Sequence, residues 1–216
     1  MLLQKIDQLY ASIISPDCDT YDGSQHKLEF RDCVEHLRCR LEEMETPEVW
    51  FLEIGAFKGL WALAFAVLCR ECGKIPRYVT VTWMKHNPAN RDILATKKQF
   101  DDNGLFFRLI DADSAAPQTI AQVTQFSPDY HFVFIDGDHS FDAVMRDIKH
   151  YAPLATEVLW FHDINTRECG VRRAIEKSRL HLNLEISYGP IMGIGIHNCR
   201  AATPYAARTG PWRRWF

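Results

Sequence analysis

The stretch FIDGDHSFD, Phe134 to Asp142, holds four side chains that can carry charge or bind a metal: Asp136, Asp138, His139 and Asp142. A turn uses at most one aspartate, as a local cap for its own backbone. The surplus needs another use. A second group of the same kind, His162-Asp163, stands in VLWFHDIN. Two carboxylates brought close together repel each other unless a cation lies near them. Carboxylate oxygens with one imidazole suit Mg²⁺ or Mn²⁺, and after them Fe²⁺. An imidazole titrates near neutral pH and can serve as a general base. Metal binding combined with proton transfer is therefore the chemistry these residues offer.

Two further stretches offer groups that hold a ligand. LEIGAFKGLWAL carries Glu53, Gly55 and Gly59 in the pattern E-x-G-x-x-x-G. Glycines let backbone approach a ligand, and a helix N-terminus presents free N–H groups. The pattern departs from the dinucleotide fingerprint, because Phe57 and Lys58 stand where a middle glycine would admit a pyrophosphate. An acid at Glu53 suits a cationic ligand, one bearing an amino group or a sulfonium. In LIDADSAAP, Asp113 and Ser114 can hydrogen-bond an adenine edge or cap the following helix.

These groups must be placed by the elements around them. VWFLEIG, RYVTVTWM, LFFRLIDAD, HFVFID and EVLWFHDI read as buried strands, being short apolar or β-branched runs. LWALAFAVLCREC, NRDILATKKQFDDNG, AAPQTIAQVTQ, SFDAVMRDIKHYAPL and RECGVRRAIEKSR read as the helices between them. LNLEISYG and IMGIGIHN close the chain as a hairpin around Gly189-Pro190. Strand and helix alternate about five times, then two strands follow. That order predicts an α/β fold: a Rossmann-like, doubly wound, mostly parallel seven-stranded sheet with a terminal antiparallel hairpin, in three α/β/α layers. Ligands of such sheets bind beyond the carboxyl ends of the strands, where every stretch singled out above lies.

The predicted organisation is an N-terminal helical cap over 1–47, a ligand-binding domain over 48–200 and a tail over 201–216. HKLEFRDCVEHLRCRLEEME has helical periodicity, and Pro47 ends it. The first residues, MLLQKIDQLYASII, read as a helix interrupted by Lys5 and Asp7, not as a signal peptide, and the expected location is cytoplasmic. No apolar run reaches the length of a membrane span. A net charge of −3 over 216 residues gives no footprint for nucleic acid. The basic aromatic tail RTGPWRRWF reads as a docked or frayed terminus, or as a homo-oligomer contact together with the N-terminal helices. Seven cysteines include the pair Cys69 and Cys72, which ends a helix and lacks partners at zinc-ligand spacing, so reduced thiols are expected.

Taken together, FLEIGAFKG, DADS, FVFIDGDHSFDAVMRDIKHYAPL and VLWFHDIN resemble the class I S-adenosylmethionine (SAM)-dependent methyltransferases over about residues 48–165. The branch they most resemble is the small metal-dependent O-methyltransferases of natural-product sugars. The resemblance implies SAM as cofactor, with Mg or Mn, and a small-molecule acceptor. It implies a cofactor set of Glu53, Gly55, Ala56, Gly59, Trp83, Asp113, Ser114 and Asp136. The metal would be held by Asp136 and Asp163, with His162 as neighbour or third ligand. His139 matches the family's proposed base, and Asp138 is the reserve. One departure stands out: the family's acid near the end of strand two is missing in VTVTWMKHNP, where Thr82 or Trp83 must serve the ribose and adenine instead. The competing expectations are a Rossmann-like binding module, an oxidative tailoring relative that transfers no methyl, and a nicotinamide oxidoreductase. The last is disfavoured by the missing middle glycine and the missing ribose acid.

Overall fold

The computed structural model describes residues 27–85, 91–166, 170–188 and 192–199. The expected helix before residue 27, Cys18, Cys169, the hairpin tip at Gly189-Pro190 and the basic tail lie outside the described residues.

The described elements run α1 (Lys27–Glu43), β1 (Glu48–Ile54), α2 (Leu60–Glu71), β2 (Ile75–Val81), α3 (Ile93–Asp102), β3 (Phe106–Ile110) and α4 (Pro117–Phe126). They continue with β4 (Tyr130–Ile135), α5 (Phe141–Tyr151), β5 (Ala155–Phe161), α6 (Val171–Lys177), β6 (Leu184–Ile186) and β7 (Ile194–Asn198). The seven strands form one sheet in the order β3-β2-β1-β4-β5-β7-β6. The first five pair in parallel, and β7 is antiparallel to both β5 and β6. This is the doubly wound sheet with a terminal hairpin that the alternation predicted.

Period-two alternation splits the core between two faces. Val49 and Phe51 of β1, Phe132 and Phe134 of β4, and Trp160 of β5 pack with α1, α2 and α3. Leu52, Ile54, Val133, Ile135, Leu159 and Phe161 pack with α4, α5 and α6. Strands covered on both sides have no reason to alternate polar with apolar, which is why they read as continuous apolar runs. The first face is aromatic: Phe132 and Trp160 stack at 5.4 Å, and Phe51 stacks on Tyr78 at 5.2 Å. α1 belongs to this core through the fully buried Phe30, Val34, Leu37 and Leu41.

Element ends differ from the sequence reading in places. β2 begins at Ile75 and stops at Val81, so Trp83 and Met84 lie beyond the strand. Pro76 enters β2 because pairing with β3 starts only at Arg77, so its missing N–H forfeits no ladder bond. β3 and β5 likewise end before their aspartates, leaving Asp111, Asp113 and Asp163 in the connecting turns. Cys69 is buried in the core and Cys72 is the half-buried cap residue of α2; neither is in a disulfide. Among the described residues no helix is long and apolar enough to cross a membrane.

Candidate active site and metal centre

Strand order reverses direction between β1 and β4, whose parallel pairing ends at Ile54 opposite Ile135. A crevice for ligand opens at such a switch point. Gly55 and Asp136 flank it directly: the Asp136 N–H donates to the Ile54 carbonyl at 2.8 Å. Gly55 has φ of +97°, and a Cβ placed there would lie 2.1 Å from the Asp136 carbonyl oxygen. Its glycine is therefore required by the meeting of two backbones, before any ligand is considered. Gly59, with φ of +82°, forms the entry to α2, and a Cβ there would run into Ile93 and Thr96. Ala56 is buried in the same turn.

The strand-four and strand-five ends converge. β5 pairs with β4 through Phe161 opposite Ile135, so the next residues, His162 and Asp136, stand level. Asp136 Oδ1 lies 3.0 Å from His162 Nδ1 and 3.2 Å from His139 Nε2. Asp163 Oδ2 lies 2.9 Å from His139 Nδ1 and 3.6 Å from His162 Nδ1. One ligand atom from each of Asp136, His139, His162 and Asp163 falls within 4.8 Å of all the others. His162 is buried, and its Nε2 has no hydrogen-bond partner.

Electrostatics follow from this packing. Burial would raise Asp136, but His162 and His139 outweigh it and hold the carboxyl below its ordinary range. Asp163 is lowered in the same way, burial opposing and His139 and His162 prevailing. Burial alone would lower His139, yet hydrogen bonds to Asp136 and Asp163 carry it up to about 11. His162 also moves up, because Asp136 overcomes its burial. With no cation bound, the imidazoles neutralise the carboxylates from within. Two carboxylates and two imidazoles whose lone pairs converge are a fitting donor set for a divalent ion.

Other residues of the reading take different places. Asp138 points out of the cluster: it accepts the Ser140 N–H at 2.8 Å and ties the entry of α5. Asp142 is exposed in the first turn of that helix. Ser114 is not the cap of α4, which starts from Ala116; its hydroxyl donates to Asp147 Oδ1 at 2.8 Å. Asp113 is exposed and accepts the Ala115 N–H at 2.9 Å. Glu53 is buried and accepts the Tyr78 hydroxyl at 2.5 Å. Burial pushes its carboxyl up to about 8, the Tyr78 hydrogen bond opposing and the Asp136 charge adding, so it is largely neutral at pH 7. Trp83 is 43% exposed beyond β2, and the neighbouring Thr82 is buried, its hydroxyl without a partner.

Several residues that no motif singled out support the site. Asp111 follows β3, and the Val81–Ile110 register sets it beside Thr82, where it accepts the Met84 N–H at 2.9 Å. It is a carboxylate beside the end of β2, supplied by the neighbouring strand. Gly170, at the start of α6, donates its N–H to the His139 carbonyl at 2.7 Å and packs so close to Phe141 that no Cβ fits. Arg172 braces the turn after β5 through the Ile164 carbonyl and Asn165 Oδ1. The contacts of Asp111 and Gly170 join residues far apart in sequence, and no local pattern reveals them.

The Methyltransferase domain family matches residues 52–164, just over half of the chain. The chain belongs to that family. By fold and family it is a class I SAM-dependent methyltransferase domain. Among curated protein sequences none matches this methyltransferase domain. Among solved structures it is similar to a TDP-rhamnose 3'-O-methyltransferase of calicheamicin biosynthesis, at 13% identity, TM-score 0.58, covering 90% of this chain and 92% of that one. It is also similar to an SAH-bound methyltransferase from Podospora anserina, at 16% identity, TM-score 0.54, covering 91% and 87%. An rRNA methyltransferase from Streptomyces viridochromogenes shares the fold at 11% identity, TM-score 0.54, covering 89% and 92%. Identities this low speak for the fold alone, and the fold evidently serves acceptors of very different size.

Proposed function

We propose that this methyltransferase methylates a hydroxyl of a small molecule with the help of a divalent cation. The observation that carries the reading is the convergence of Asp136, His139, His162 and Asp163 within 4.8 Å, at the ends of β4 and β5 beside the crevice between β1 and β4. SAM, when bound, supplies an electrophilic methyl group on a sulfonium. A divalent cation, when bound, lowers the pKa of an acceptor hydroxyl.

Asp136 and Asp163 would hold the cation, with His162 as third ligand. His139, within reach of both carboxylates, would be the general base beside that cation. Its Nδ1 stays oriented by Asp163, and its Nε2 takes the acceptor proton. The acceptor oxygen must then be held in line with the methyl, which is a matter of positioning.

The cofactor's methionine end is assigned to Glu53, Gly55, Ala56, Gly59 and Asp136 around the crevice. Asp113, Ser114 and Trp83 are assigned to its adenine end. The ribose hydroxyls are assigned to Asp111 with Thr82: a vicinal diol pairs well with a carboxylate, and Asp111 is the carboxylate that the β2–β3 register brings there. A net charge of −3 with no basic stretch among the site residues favours a small acceptor over RNA.

The test is calorimetric titration with SAM, with and without Mn²⁺, on wild type, Asp111→Ala and His139→Ala, followed by transfer of labelled methyl to a panel of hydroxylated small molecules. The expected result is SAM binding by wild type, weakened about tenfold or more by Asp111→Ala (one charge-assisted hydrogen bond,) and retained by His139→Ala. Turnover should fall about 10²–10⁴-fold in His139→Ala. SAM binding without transfer to any hydroxyl would instead support a binding module.

A further inference from the structure

Asp163 is one of three non-glycine residues with positive φ among the described residues, at +57°; Met192 is another, at +67°. An aspartate tolerates the left-handed region better than most side chains, and a methionine does so at a cost. Both lie in turns at the same end of the sheet, and one side chain joins them. The Met192 N–H donates to Thr166 Oγ1 at 3.1 Å, and the Thr166 hydroxyl contacts Asp163 Oδ1 at 3.2 Å. A backbone N–H can only donate. The Thr166 oxygen therefore gives a lone pair to Met192, and its own hydrogen is left for the carboxylate.

The two oxygens of Asp163 are thereby distinguished. Oδ1 is taken by Thr166. Oδ2 is the one turned toward His139 and His162. The turn around them is fixed further: the Asn165 N–H donates to the Met192 carbonyl at 2.8 Å, and the Ile164 N–H to the Gly193 carbonyl at 3.2 Å. Across the turn, the Gly193 N–H donates to Glu29 of α1 at 3.3 Å. The β6–β7 connection is thus tied to α1 on one side and to the carboxylate of Asp163 on the other.

We infer that Thr166 is a positioning residue for the metal centre: its hydroxyl holds Oδ1 of Asp163, so that the carboxylate is oriented with Oδ2 toward the cation. The inference rests on the metal reading above. A carboxylate free to rotate or to chelate through both oxygens would lose the alignment with Asp136 and His162, and hydrogen bonds of this kind orient ligands and tune affinity.

The experiment is Mn²⁺ titration by calorimetry on the whole protein, for wild type, Thr166→Val and Thr166→Ser, with the Mn²⁺ electron paramagnetic resonance spectrum and SAM affinity recorded alongside. Thr166→Val should weaken Mn²⁺ binding about tenfold or more and change the spectrum. Thr166→Ser, which keeps the hydroxyl, should bind Mn²⁺ as wild type does, and all three should bind SAM equally. If Thr166→Val fails to fold, Thr166→Ala carries the same expectation without a branched side chain. Wild-type Mn²⁺ affinity in the valine variant would overturn the inference, and so would an equal loss in the serine variant, since packing and not the hydroxyl would then be the cause. Wild type taking up no Mn²⁺ at all would overturn the metal reading itself and this inference with it.

Discussion

Asp136 Oδ1 and His162 Nδ1 face each other at 3.0 Å across the ends of two adjacent parallel strands. Their closeness is set by register, since Ile135 pairs with Phe161 one step earlier. Asp136 also lies against Gly55 at the end of β1, whereas Asp163 does not. The two aspartates should therefore separate in their effects. Asp163→Ala is expected to weaken Mn²⁺ binding at least about tenfold while SAM binding is kept, by analogy with the loss of a ligand's support. Asp136→Ala is expected to weaken both. Parallel titrations of the two variants check this, and an equal pattern in both would refute the division of roles.

Metal binding should depend steeply on pH. In the cation-free protein His139 is carried up to about 11 by Asp136 and Asp163, after burial is overcome. A cation held by those carboxylates must displace at least one proton, so affinity should rise about tenfold per pH unit for each proton released. Mn²⁺ titrations between pH 6 and 8 should show that rise. The same shift bears on stability. A raised folded pKa gives stability that is fully present below the unfolded value near 6.5 and is lost as pH climbs toward about 11. Denaturant unfolding of cation-free wild type and His139→Ala should then differ most at pH 6 and progressively less above pH 7.

Glu53 predicts a proton signature for cofactor binding. Burial holds it up to about 8 in the ligand-free chain, with Tyr78 opposing. A cationic group brought near it favours the ionised form and lowers its pKa. SAM binding near pH 7 should therefore release up to about one proton, seen as a heat that depends on the ionisation enthalpy of the buffer. Glu53→Gln should remove that dependence. Buffer-independent heats in wild type would place the cationic end of the cofactor elsewhere.

Gly55 is expected to be intolerant for a reason internal to the fold. A methyl group there meets the Asp136 carbonyl at 2.1 Å and must adopt φ of +97°. Gly55→Ala should destabilise the protein by about 3 kcal/mol or more, combining overpacking and backbone strain. Gly104, also at positive φ, has open space around it, so Gly104→Ala should cost only about 1 kcal/mol. Thermal unfolding of the two variants gives the comparison.

The placement of Phe134–Asp142 and of His162-Asp163 at strand ends was legible because it is local. Apolar runs mark strands, a strand's last residue sets where the following side chains stand, and parallel strands bring those ends to one rim. The order of strands and helices, the terminal hairpin and the meeting of Asp136 with Asp163 all follow from such short-range signals. What the tertiary structure decided are relations between residues far apart in the chain, where no local signal exists. Tyr78 donates its hydroxyl to Glu53 because β1 and β2 pair in register, while burial between the layers keeps the carboxyl raised. Asp111 stands beside the end of β2 because β3 pairs with it. Asp147 takes the Ser114 hydroxyl, which the sequence offered to a ligand or a cap. His139 became the bridge between both carboxylates, and Thr166 the link from Asp163 to the β6–β7 connection. A sequence states which groups exist and roughly where each element leaves them. Which oxygen faces which nitrogen is fixed only when both faces of the sheet are packed.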